Sequence, residues 1–323
     1  MAPPSSVKRT SSPSKRSAAR RRNPVAANGG WKRFWVWFAV FLTMILVIGL
    51  AVAKWFPPKP VDLPLAAPPP AASRPLFEIY PQEPHPAHPE TPLPSIPPTG
   101  LPKAAILFDD MGGDLRIAGR LVELGIPLTF SLLPFSPHRT EIAELASANG
   151  IEIMAHIPME PKEYPHIQPG QGALMSGMSE GRLAAQLLSD LESLPQVVGM
   201  NNHMGSRLTA ETRAMEQIMA IVKSKHLFYV DSRTIPSSAA RSAARLLRVP
   251  YAERDVFLDH VVEMGAIRSQ IVRFIETARR NGHALAIGHP HEETIAVLEE
   301  QLPAIRQAVT LVPVSAVVRV PPR

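Results

Sequence analysis

From residue 102 onward the sequence predicts an α/β domain, built on a parallel sheet with crossover helices that is either a barrel or open. Short apolar runs alternate with longer helical patterns, and polar residues follow five of the apolar runs. A charge-free apolar segment and a proline-rich segment precede the whole pattern. The chain therefore has four predicted regions: residues 1–33, 34–53, 54–101 and 102–323.

The distribution of charge separates the domain from the segments before it. Residues 1–101 hold 12 of the 34 Lys and Arg residues and only four acidic residues, so that part carries +8 and the remainder −2. A nucleic-acid-binding face on the domain is therefore not expected. The chain contains no cysteine, which excludes thiolate zinc sites, disulfides and thiol nucleophiles and leaves His, Asp and Glu as metal ligands.

The first two regions predict a membrane anchor. Residues 1–33 are rich in Ser, Pro, Arg and Lys, so we expect a disordered basic tail. Residues 34–53 contain no charge, and as a helix they would span about 30 Å, the thickness of a bilayer core. A cleaved signal peptide is the alternative, but its apolar region is usually shorter, roughly 7–15 residues. We expect one transmembrane helix, with the basic tail in the cytoplasm and the domain exported.

Residues 54–101 form a predicted linker that contains sixteen prolines. Proline fixes φ and removes a hydrogen-bond donor, so the segment favours extended polyproline II. At about 3.1 Å per residue the proline-rich part would reach roughly 130 Å. We interpret it as a passive spacer between the membrane and the domain.

Within the domain, seven apolar runs have the length and composition of buried strands. They are residues 104–108, 128–132, 151–155, 197–200, 227–230, 284–287 and 311–314. Six helical patterns occupy residues 116–124, 140–148, 179–194, 210–223, 266–280 and 292–301. Ser179 and Thr209 are predicted N-caps, and Gly125, Gly150 and Gly282 lie where helices should stop.

Polar residues follow five of these runs, at the point where each strand should end. They are Asp109-Asp110, His156, Asn201-Asn202-His203, Asp231 and Gly288-His289-Pro290-His291. In a β/α barrel the carboxyl ends of all strands meet on one face, where active sites form. We therefore expect acids and imidazoles from five segments to converge at one rim.

Each of these motifs alone has a simpler interpretation. Asp109-Asp110 could form a helix-capping loop, His156 could be a hydrogen-bonded core histidine, and Asn201-Asn202 could serve a turn. Gly288-His289-Pro290 could be a rigid turn. The repeated position of polar residues after strands favours a divalent metal site instead.

A metal bound by Asp110, His156 and His203 would leave an open position for water and would lower the pKa of that water. Asp109 would then be the general base. His289 would protonate the leaving group. The sequence thus predicts two catalytic residues beside three metal ligands.

Six strings in the domain carry a resemblance to a known family. They are Phe108-Asp-Asp-Met-Gly112, His156-Ile-Pro-Met-Glu-Pro161, Asn201-Asn-His-Met-Gly-Ser-Arg207, Asp231-Ser-Arg-Thr234, Arg254-Asp-Val-Phe-Leu-Asp-His260 and Ile287-Gly-His-Pro-His291. Over residues 104–318 the chain resembles the polysaccharide deacetylases, and more closely their divergent branch in bacterial envelopes. The resemblance implies a deformed (β/α) barrel, here of about seven strands, and hydrolytic removal of N- or O-acetyl groups from glycans.

The resemblance also implies roles for individual residues. In the mainstream family the first Asp of the Asp-Asp pair is the base and the second binds metal, and these roles fall on Asp109 and Asp110. The mainstream second motif has two histidines four residues apart; here His156 matches the first and Glu160 stands in the second place. His203, near the place of the third motif, would then restore the missing ligand.

Further residues are expected to support the site. His289 corresponds to the late-strand histidine of the family, and Asp231 to a later Asp that orients a neighbouring charge. Glu160 could bind zinc or could turn outward to Arg207 or Arg233. The full set of expected supporting residues is Glu160, Asn202, Arg207, Asp231, Arg233 and His291, with Asp255, Asp259 and His260 as weaker candidates.

The expected function is that of a membrane-anchored, metal-dependent hydrolase that removes acetyl groups from an envelope polysaccharide, with zinc as the first choice of divalent metal. The expected location is the bacterial inner membrane, with the N-terminus in the cytoplasm and the domain in the periplasm. The expected partners are the polysaccharide and the membrane, and not nucleic acid. Two alternatives stay open: a catalytically impaired domain that binds glycan or an envelope protein, and a hydrolase of another bond, such as an amidase or a lytic carbohydrate enzyme.

Overall fold

The computed structural model describes residues 35–45, 100–194 and 196–322, and the chain divides into two units after Ala72. In the first unit, residues 35–45 form helix α1, whose residues are exposed. The predicted tail, residues 34 and 46–53 of the predicted 34–53 helix, and nearly all of the 54–101 linker lie outside the described residues. Among the residues that are described, no helix combines the length and the apolar character needed to cross a bilayer.

The second unit is built around a parallel sheet. Its strands are β1 (Lys103–Met111), β2 (Thr129–Leu132), β3 (Glu152–Met159), β4 (Gly199–Met204), β5 (Phe228–Asp231), β6 (Tyr251–Glu253), β7 (Val256–Phe257), β8 (His283–Gly288) and β9 (Thr310–Leu311). Eight strands follow the order β6-β5-β4-β3-β2-β1-β8-β7, and β9 pairs with β1. Every ladder between these strands is parallel, as the alternation of strands and helices predicts.

The connections between strands are mostly helical. The helices are α2 (Leu115–Glu123), α3 (Arg139–Ala148), α4 (Glu180–Glu192), α5 (Thr212–Ser224), α6 (Ala240–Leu247), α7 (Met264–Asn281) and α8 (Glu292–Ala308). The prediction of seven strands and six helices missed β6, β7 and α6. The two strands are only three and two residues long. The buried face of α6 consists of alanines, which give a weak apolar signal.

Most of the predicted helix ends are confirmed. Ser179 caps α4, since its side chain accepts a hydrogen bond from the Arg182 main-chain N–H. Gly125, Gly150 and Gly282 have φ values of +59°, +67° and +78°, the left-handed backbone that glycine allows after a helix.

The predicted cap at Thr209 is wrong. Thr209 lies in a short 3₁₀ helix, Leu208–Ala210, and its hydroxyl donates to the Gly205 carbonyl at 2.8 Å. The residue that precedes α5 is Glu211. Because the 3₁₀ turn uses the hydroxyl locally, it cannot reach the first turn of α5.

The two faces of the sheet pack into two cores. Alternate strand residues such as Ile106 and Phe108 belong to the larger core that includes the buried helix residues, and we call this side the helix face. Their neighbours Ala105 and Leu107 belong to a smaller core with Leu285, on the side that we call the inner face. This two-residue alternation, which any strand imposes, determines which side chains can reach the site.

The sheet is curled, because strands β6 and β7 lie at its two ends although only Arg254 and Asp255 separate them. The main-chain N–H of Arg254 bonds Asp231 of β5, and that of Asp255 bonds Leu285 of β8. These two residues thus connect the two end strands of the sheet, although β6 and β7 do not pair with each other. The result is an incomplete parallel barrel of eight strands, in keeping with the expected deformed barrel of about seven. Both cores lie within residues 100–322, so this unit has what it needs to fold without the segments before it.

Candidate active site

The inner face supplies the polar residues of the site. Every second residue of a strand faces the same side of the sheet. On the inner face, Asp109 therefore follows Leu107, His156 follows Met154, and His289 follows Ile287. Asn201 and His203 share one face of β4 for the same reason. All of these side chains lie at the carboxyl ends of the parallel strands, where the rim was expected.

Asp110 is the exception to this alternation, since its place after Asp109 would direct it to the helix face. Its φ of +54° lies in the left-handed region, and the register of β1 with β2 shifts between Phe108 and Met111. Such bulges re-aim a side chain and are frequent beside active sites. The strained turn brings the Asp110 carboxylate towards the two histidines.

Asp110, His156 and His203 lie together as a three-residue cluster. One ligand atom from each lies within 4.8 Å of the other two. Asp110 Oδ1 is 3.1 Å from His156 Nε2 and 2.8 Å from His203 Nδ1, and the two ring nitrogens are 3.2 Å apart. We call these three residues the Asp-His-His cluster.

The geometry of the cluster fits a divalent cation. Asp110 Oδ1 is buried and makes no hydrogen bond, although both rings approach it closely. The three ligand atoms thus face a shared point. Burial raises the pKa of Asp110, but His203 and His156 outweigh it and hold the pKa well below its usual range. An ionised carboxylate with two imidazoles is a donor set that suits zinc and other divalent metals.

Asp109 faces the other side of Asn201. The Asn201 amide nitrogen donates to both carboxylate oxygens of Asp109, at 2.8 and 3.0 Å, and its oxygen lies 2.9 Å from His156 Nδ1. Burial raises the pKa of Asp109 above its usual value, although His156, His289 and Asn201 act against that rise. A raised pKa suits a carboxylate that must accept a proton.

His289 is held by Asp259. The ring Nδ1 lies 2.9 Å from Asp259 Oδ1, the His289 main-chain N–H donates to Oδ2 at 2.6 Å, and the Thr294 hydroxyl donates to the same oxygen at 2.7 Å. Burial lowers the pKa of His289, but Asp259 outweighs it and raises that pKa to about 9. The imidazole is therefore protonated at neutral pH.

Two cavities lie at this rim. A small one of about 30 Å³ has Asp109, His289, His156 and His203 in its wall, and it has room for water or a very small group. An open cleft of about 420 Å³ contains Asp110 in its wall. Asp114, Arg116, His291 and Glu292 also line this cleft.

The family of this chain follows from its match to a family model. Residues 106–318 match the family model of divergent polysaccharide deacetylases. The chain belongs to this family. It is 34% identical over 219 residues to the uncharacterized protein YibQ of Escherichia coli K12, with 68% of each chain covered.

Two further proteins are similar to this chain. An uncharacterized protein of Haemophilus influenzae is 34% identical over 210 residues, which cover 65% of this chain and 74% of that protein. The crystal structure of an uncharacterized protein of Agrobacterium tumefaciens C58 superposes with a TM-score of 0.64 at 25% identity, covering 68% of this chain and 89% of that one. The resemblance stated from the six strings is confirmed.

Glu160 shows how this member of the divergent polysaccharide deacetylases differs from the mainstream pattern. Its carboxylate is not part of the Asp-His-His cluster. One oxygen accepts from the Ser176 N–H and hydroxyl, both at 2.6 Å, and the other lies 3.1 Å from Arg207. Of the two outcomes expected for Glu160, the structure shows the turn towards Arg207, and His203 occupies the third position of the cluster.

Three other expected supporting residues lie apart from the cluster. Asn202 faces the helix side of β4 and bonds Tyr229 and the main chain of Met204. Asp231 is buried on the same side of β5, where it accepts from the Arg233 N–H at 2.8 Å. The Arg233 side chain lies 3.5 Å from Glu253. These contacts shape the turns after β4 and β5, and none reaches a ligand atom.

His291 lies at the mouth of the site. It lines the open cleft, and its ring centre is 6.0 Å from that of His289. Burial lowers the pKa of His291. The position suits contact with a bound molecule in the cleft.

Three residues of the site were not predicted, or only weakly predicted, from the sequence. Asn201, which bridges Asp109 and His156, was not among the expected supporting residues, whereas Asn202 was. The two-residue period of β4 places Asn201 and not Asn202 on the same face as His203. Asp259 was only a weak candidate because it follows a two-residue strand that gives no pattern. Arg254 belongs to one of the six strings but was given no role, and it lies in the wall of the small cavity.

Proposed function

We propose that this chain is a membrane-anchored, metal-dependent hydrolase that removes acetyl groups from an envelope polysaccharide. One observation carries the proposal: Asp109 and His289 line the same small cavity as two members of the Asp-His-His cluster. A base, an acid and a cation site thus surround one space. That is the arrangement that hydrolysis of an acyl group requires.

The Asp-His-His cluster would hold the cation, with zinc as our first choice. When bound there, a divalent cation would polarise the acetyl carbonyl and lower the pKa of a nearby water. The side chains do the rest of the work. His156 and Asp110 are held in place by burial and by the strained turn of β1, so little reorganisation accompanies binding.

Asp109 would be the general base. Its carboxylate is held by the amide of Asn201 and lines the small cavity. There it would take the proton from the water that attacks the acetyl carbon. General bases of this kind contribute about 10²–10⁴-fold to rate.

His289 would be the general acid. The pKa of about 9 keeps the ring protonated at neutral pH, and Asp259 engages Nδ1. The proton on Nε2 is then the one donated to the departing amine or alcohol. As the bond from the acetyl carbon to that nitrogen or oxygen breaks, acetate and the deacetylated sugar are formed.

The open cleft would hold the glycan. Its volume of about 420 Å³ lies in the usual range for ligand sites. Polar and charged residues such as Arg116, His291 and Glu292 line it, which suits the hydroxyl groups of a sugar. The 30 Å³ cavity would receive the acetyl group, or the water that attacks it.

The location is part of the proposal. Residues 34–53 lack charge and follow a basic tail, which supports an inner-membrane anchor with the domain in the periplasm. The sixteen prolines that follow support a spacer between anchor and domain. A protease-accessibility assay on intact spheroplasts would contradict this location if the domain stayed protected.

The activity is tested with purified residues 102–323 loaded with Zn²⁺, Mn²⁺ or Co²⁺ and incubated with acetylated glucosamine oligomers. Acetate release should depend on metal and should fall by about 10²-fold or more in Asp109→Asn and His289→Gln. The matched control is His283→Gln, at the opposite end of β8 from His289, which should leave the rate unchanged. Absence of metal uptake, together with activity unchanged in Asp110→Ala, would contradict the proposal.

A glycan-binding domain without catalysis is the second candidate. The absence of Glu160 from the Asp-His-His cluster and the open cleft favour it. Calorimetric titration with glycan fragments separates the two candidates. Binding that ignores a chelator and never yields acetate would favour the binding domain over the hydrolase.

A further inference from the structure

Asn201 lies between the proposed base and one proposed metal ligand, and a single carboxamide contacts both. Its nitrogen donates to the two oxygens of Asp109 at 2.8 and 3.0 Å. Its oxygen lies 2.9 Å from Nδ1 of His156. The side chain is fully buried, so water does not compete for these contacts.

The carboxamide has one workable orientation. If it were reversed, its oxygen would face two carboxylate oxygens of Asp109, which are acceptors when ionised. The hydroxyls on each side agree with the observed orientation: Ser131 donates to the Asn201 oxygen at 2.5 Å, and Ser232 accepts from its nitrogen at 3.1 Å. The neighbours of Asn201 therefore direct its oxygen to His156.

This orientation determines the tautomer of His156. An amide oxygen only accepts, so Nδ1 of His156 must carry the proton. In the neutral ring Nε2 then presents a lone pair. Nε2 is the atom that lies 3.1 Å from Asp110 and 3.2 Å from His203, which is the position of a ligand atom.

We propose that Asn201 is the positioning residue of this site. Its carboxamide fixes His156 as the Nδ1–H tautomer, which ligates through Nε2, and at the same time aims the Asp109 carboxylate. The role of Asn201 in aiming a base rests on the proposed function. The role of Asn201 in fixing the tautomer of His156 does not, because that tautomer is a property of the metal-free protein. One side chain thereby aligns the ligand and the base relative to each other.

Two substitutions separate these roles. Asn201→Leu keeps the approximate size of the side chain and removes both the donor and the acceptor. Asn201→Asp keeps an acceptor towards His156 and replaces the amide donor beside Asp109 by a carboxylate. Asn202→Asp is the matched control, because it makes the same change one residue along on the helix face of β4.

The tautomer is measured in metal-free residues 102–323 by ¹⁵N NMR of the histidine rings, at a pH high enough to keep the His156 ring neutral. We expect the wild type and Asn201→Asp to keep the proton on Nδ1 of His156, and Asn201→Leu to lose this preference. Zinc affinity, measured by chelator competition, should fall about 10–100-fold in Asn201→Leu, the usual effect of removing the partner of a metal-binding histidine. The control should change neither quantity.

The kinetic readout addresses Asp109. In metal-loaded Asn201→Asp we expect kcat to fall at least tenfold with KM nearly unchanged, since the base is misdirected and the cleft is intact. A folded Asn201→Leu that keeps both the Nδ1–H tautomer and wild-type zinc affinity would overturn the proposal. If Asn201→Leu does not fold, unchanged kcat in Asn201→Asp would overturn it.

If the chain is not a metal-dependent deacetylase, the experiments give a different result from the one that overturns the role of Asn201. In that case the wild type would bind no metal and release no acetate. The ring tautomer of His156 in the metal-free wild type and in Asn201→Asp would still report on Asn201.

Discussion

Asp259 binds His289 twice, with one carboxylate oxygen 2.9 Å from ring Nδ1 and the other 2.6 Å from the main-chain N–H. Asp259 is fully buried, so this contact is shielded from solvent. The pair orients the imidazole and stabilises its charged form. Its effect is opposite to that of burial, which alone would favour the neutral ring.

We predict that Asp259→Asn lowers the pKa of His289 from about 9 by roughly 1–3 units, the usual effect of losing one adjacent opposite charge. An acid must be protonated to act, so activity falls as pH rises through this pKa. The alkaline limb of the pH–rate profile should therefore move to lower pH, and NMR titration of His289 in the metal-free domain should show the same direction.

Asp255→Asn is the control for that prediction. Asp255 also lies beside β7, and its carboxylate accepts from the Leu285 N–H at 2.8 Å, away from His289. An identical alkaline limb in wild type and Asp259→Asn would contradict the role of His289 as the acid.

Substitution of Asp110 tests the Asp-His-His cluster. Asp110→Asn should weaken zinc binding by more than the roughly 10–100-fold typical of losing a partner of a ligand. Asparagine tolerates positive φ better than most residues, so the turn at +54° is kept and the effect reports on charge. Asp114→Asn, at the N-cap of α2, is the control; equal zinc affinity in Asp110→Asn and wild type would exclude the cluster as the metal site.

Glu160 is predicted to stabilise the fold and not to bind metal. Glu160→Gln should lower the free energy of unfolding by about 1–3 kcal/mol, because it weakens charge-assisted hydrogen bonds from Ser176 and the contact with Arg207. Zinc affinity should stay within a factor of two. Urea unfolding and chelator competition measure the two quantities, with exposed Glu163→Gln as the control. A large loss of zinc affinity at unchanged stability would show that Glu160 is a ligand.

A buried acid outside the site makes stability depend on pH. Asp190 of α4 is 0% exposed and accepts from Gln186 at 2.8 Å. Burial raises its pKa to about 7 from 3.8. A group whose pKa is higher in the folded state contributes stability that is present in full below the unfolded value and is lost as pH rises through the folded value.

We therefore expect wild-type protein to lose on the order of 2 kcal/mol of unfolding free energy between pH 5 and pH 8 through this one group. Asp190→Asn should lack that loss. Urea unfolding at both pH values measures it, and Glu192→Gln on the exposed side of the same helix serves as control. The same loss in Asp190→Asn would mean that another group causes it.

Much of the fold could be predicted from sequence because parallel strands are apolar on both faces. The runs at residues 104–108 and 284–287 became β1 and β8, and the polar residues after them marked the rim. Short strands could not be predicted in this way. β6 and β7 are too short to show a period, so the way the sheet curls was beyond prediction.

The site residues could be predicted only where strand geometry is regular. His156 and His203 were predicted as metal ligands because each lies at the end of a predicted strand. Asp110 reaches the cluster because of a backbone turn that no residue pattern encodes, and Asn201 was separable from Asn202 by alternation alone. The bond between Asp259 and His289 joins β8 to the segment after β7, and such a long-range pairing leaves no local signal.

The order of strands has a consequence for how the chain is made. β1 emerges from the ribosome first, yet its hydrogen-bond partners include β8 and β9, with Lys103 opposite both His283 and Thr310. Contacts between residues so distant in sequence slow folding, since a long loop must close before they form. Translation must therefore be nearly complete before the sheet can assemble, and a nascent chain shortened ahead of β8 would leave one edge of β1 open to aggregation.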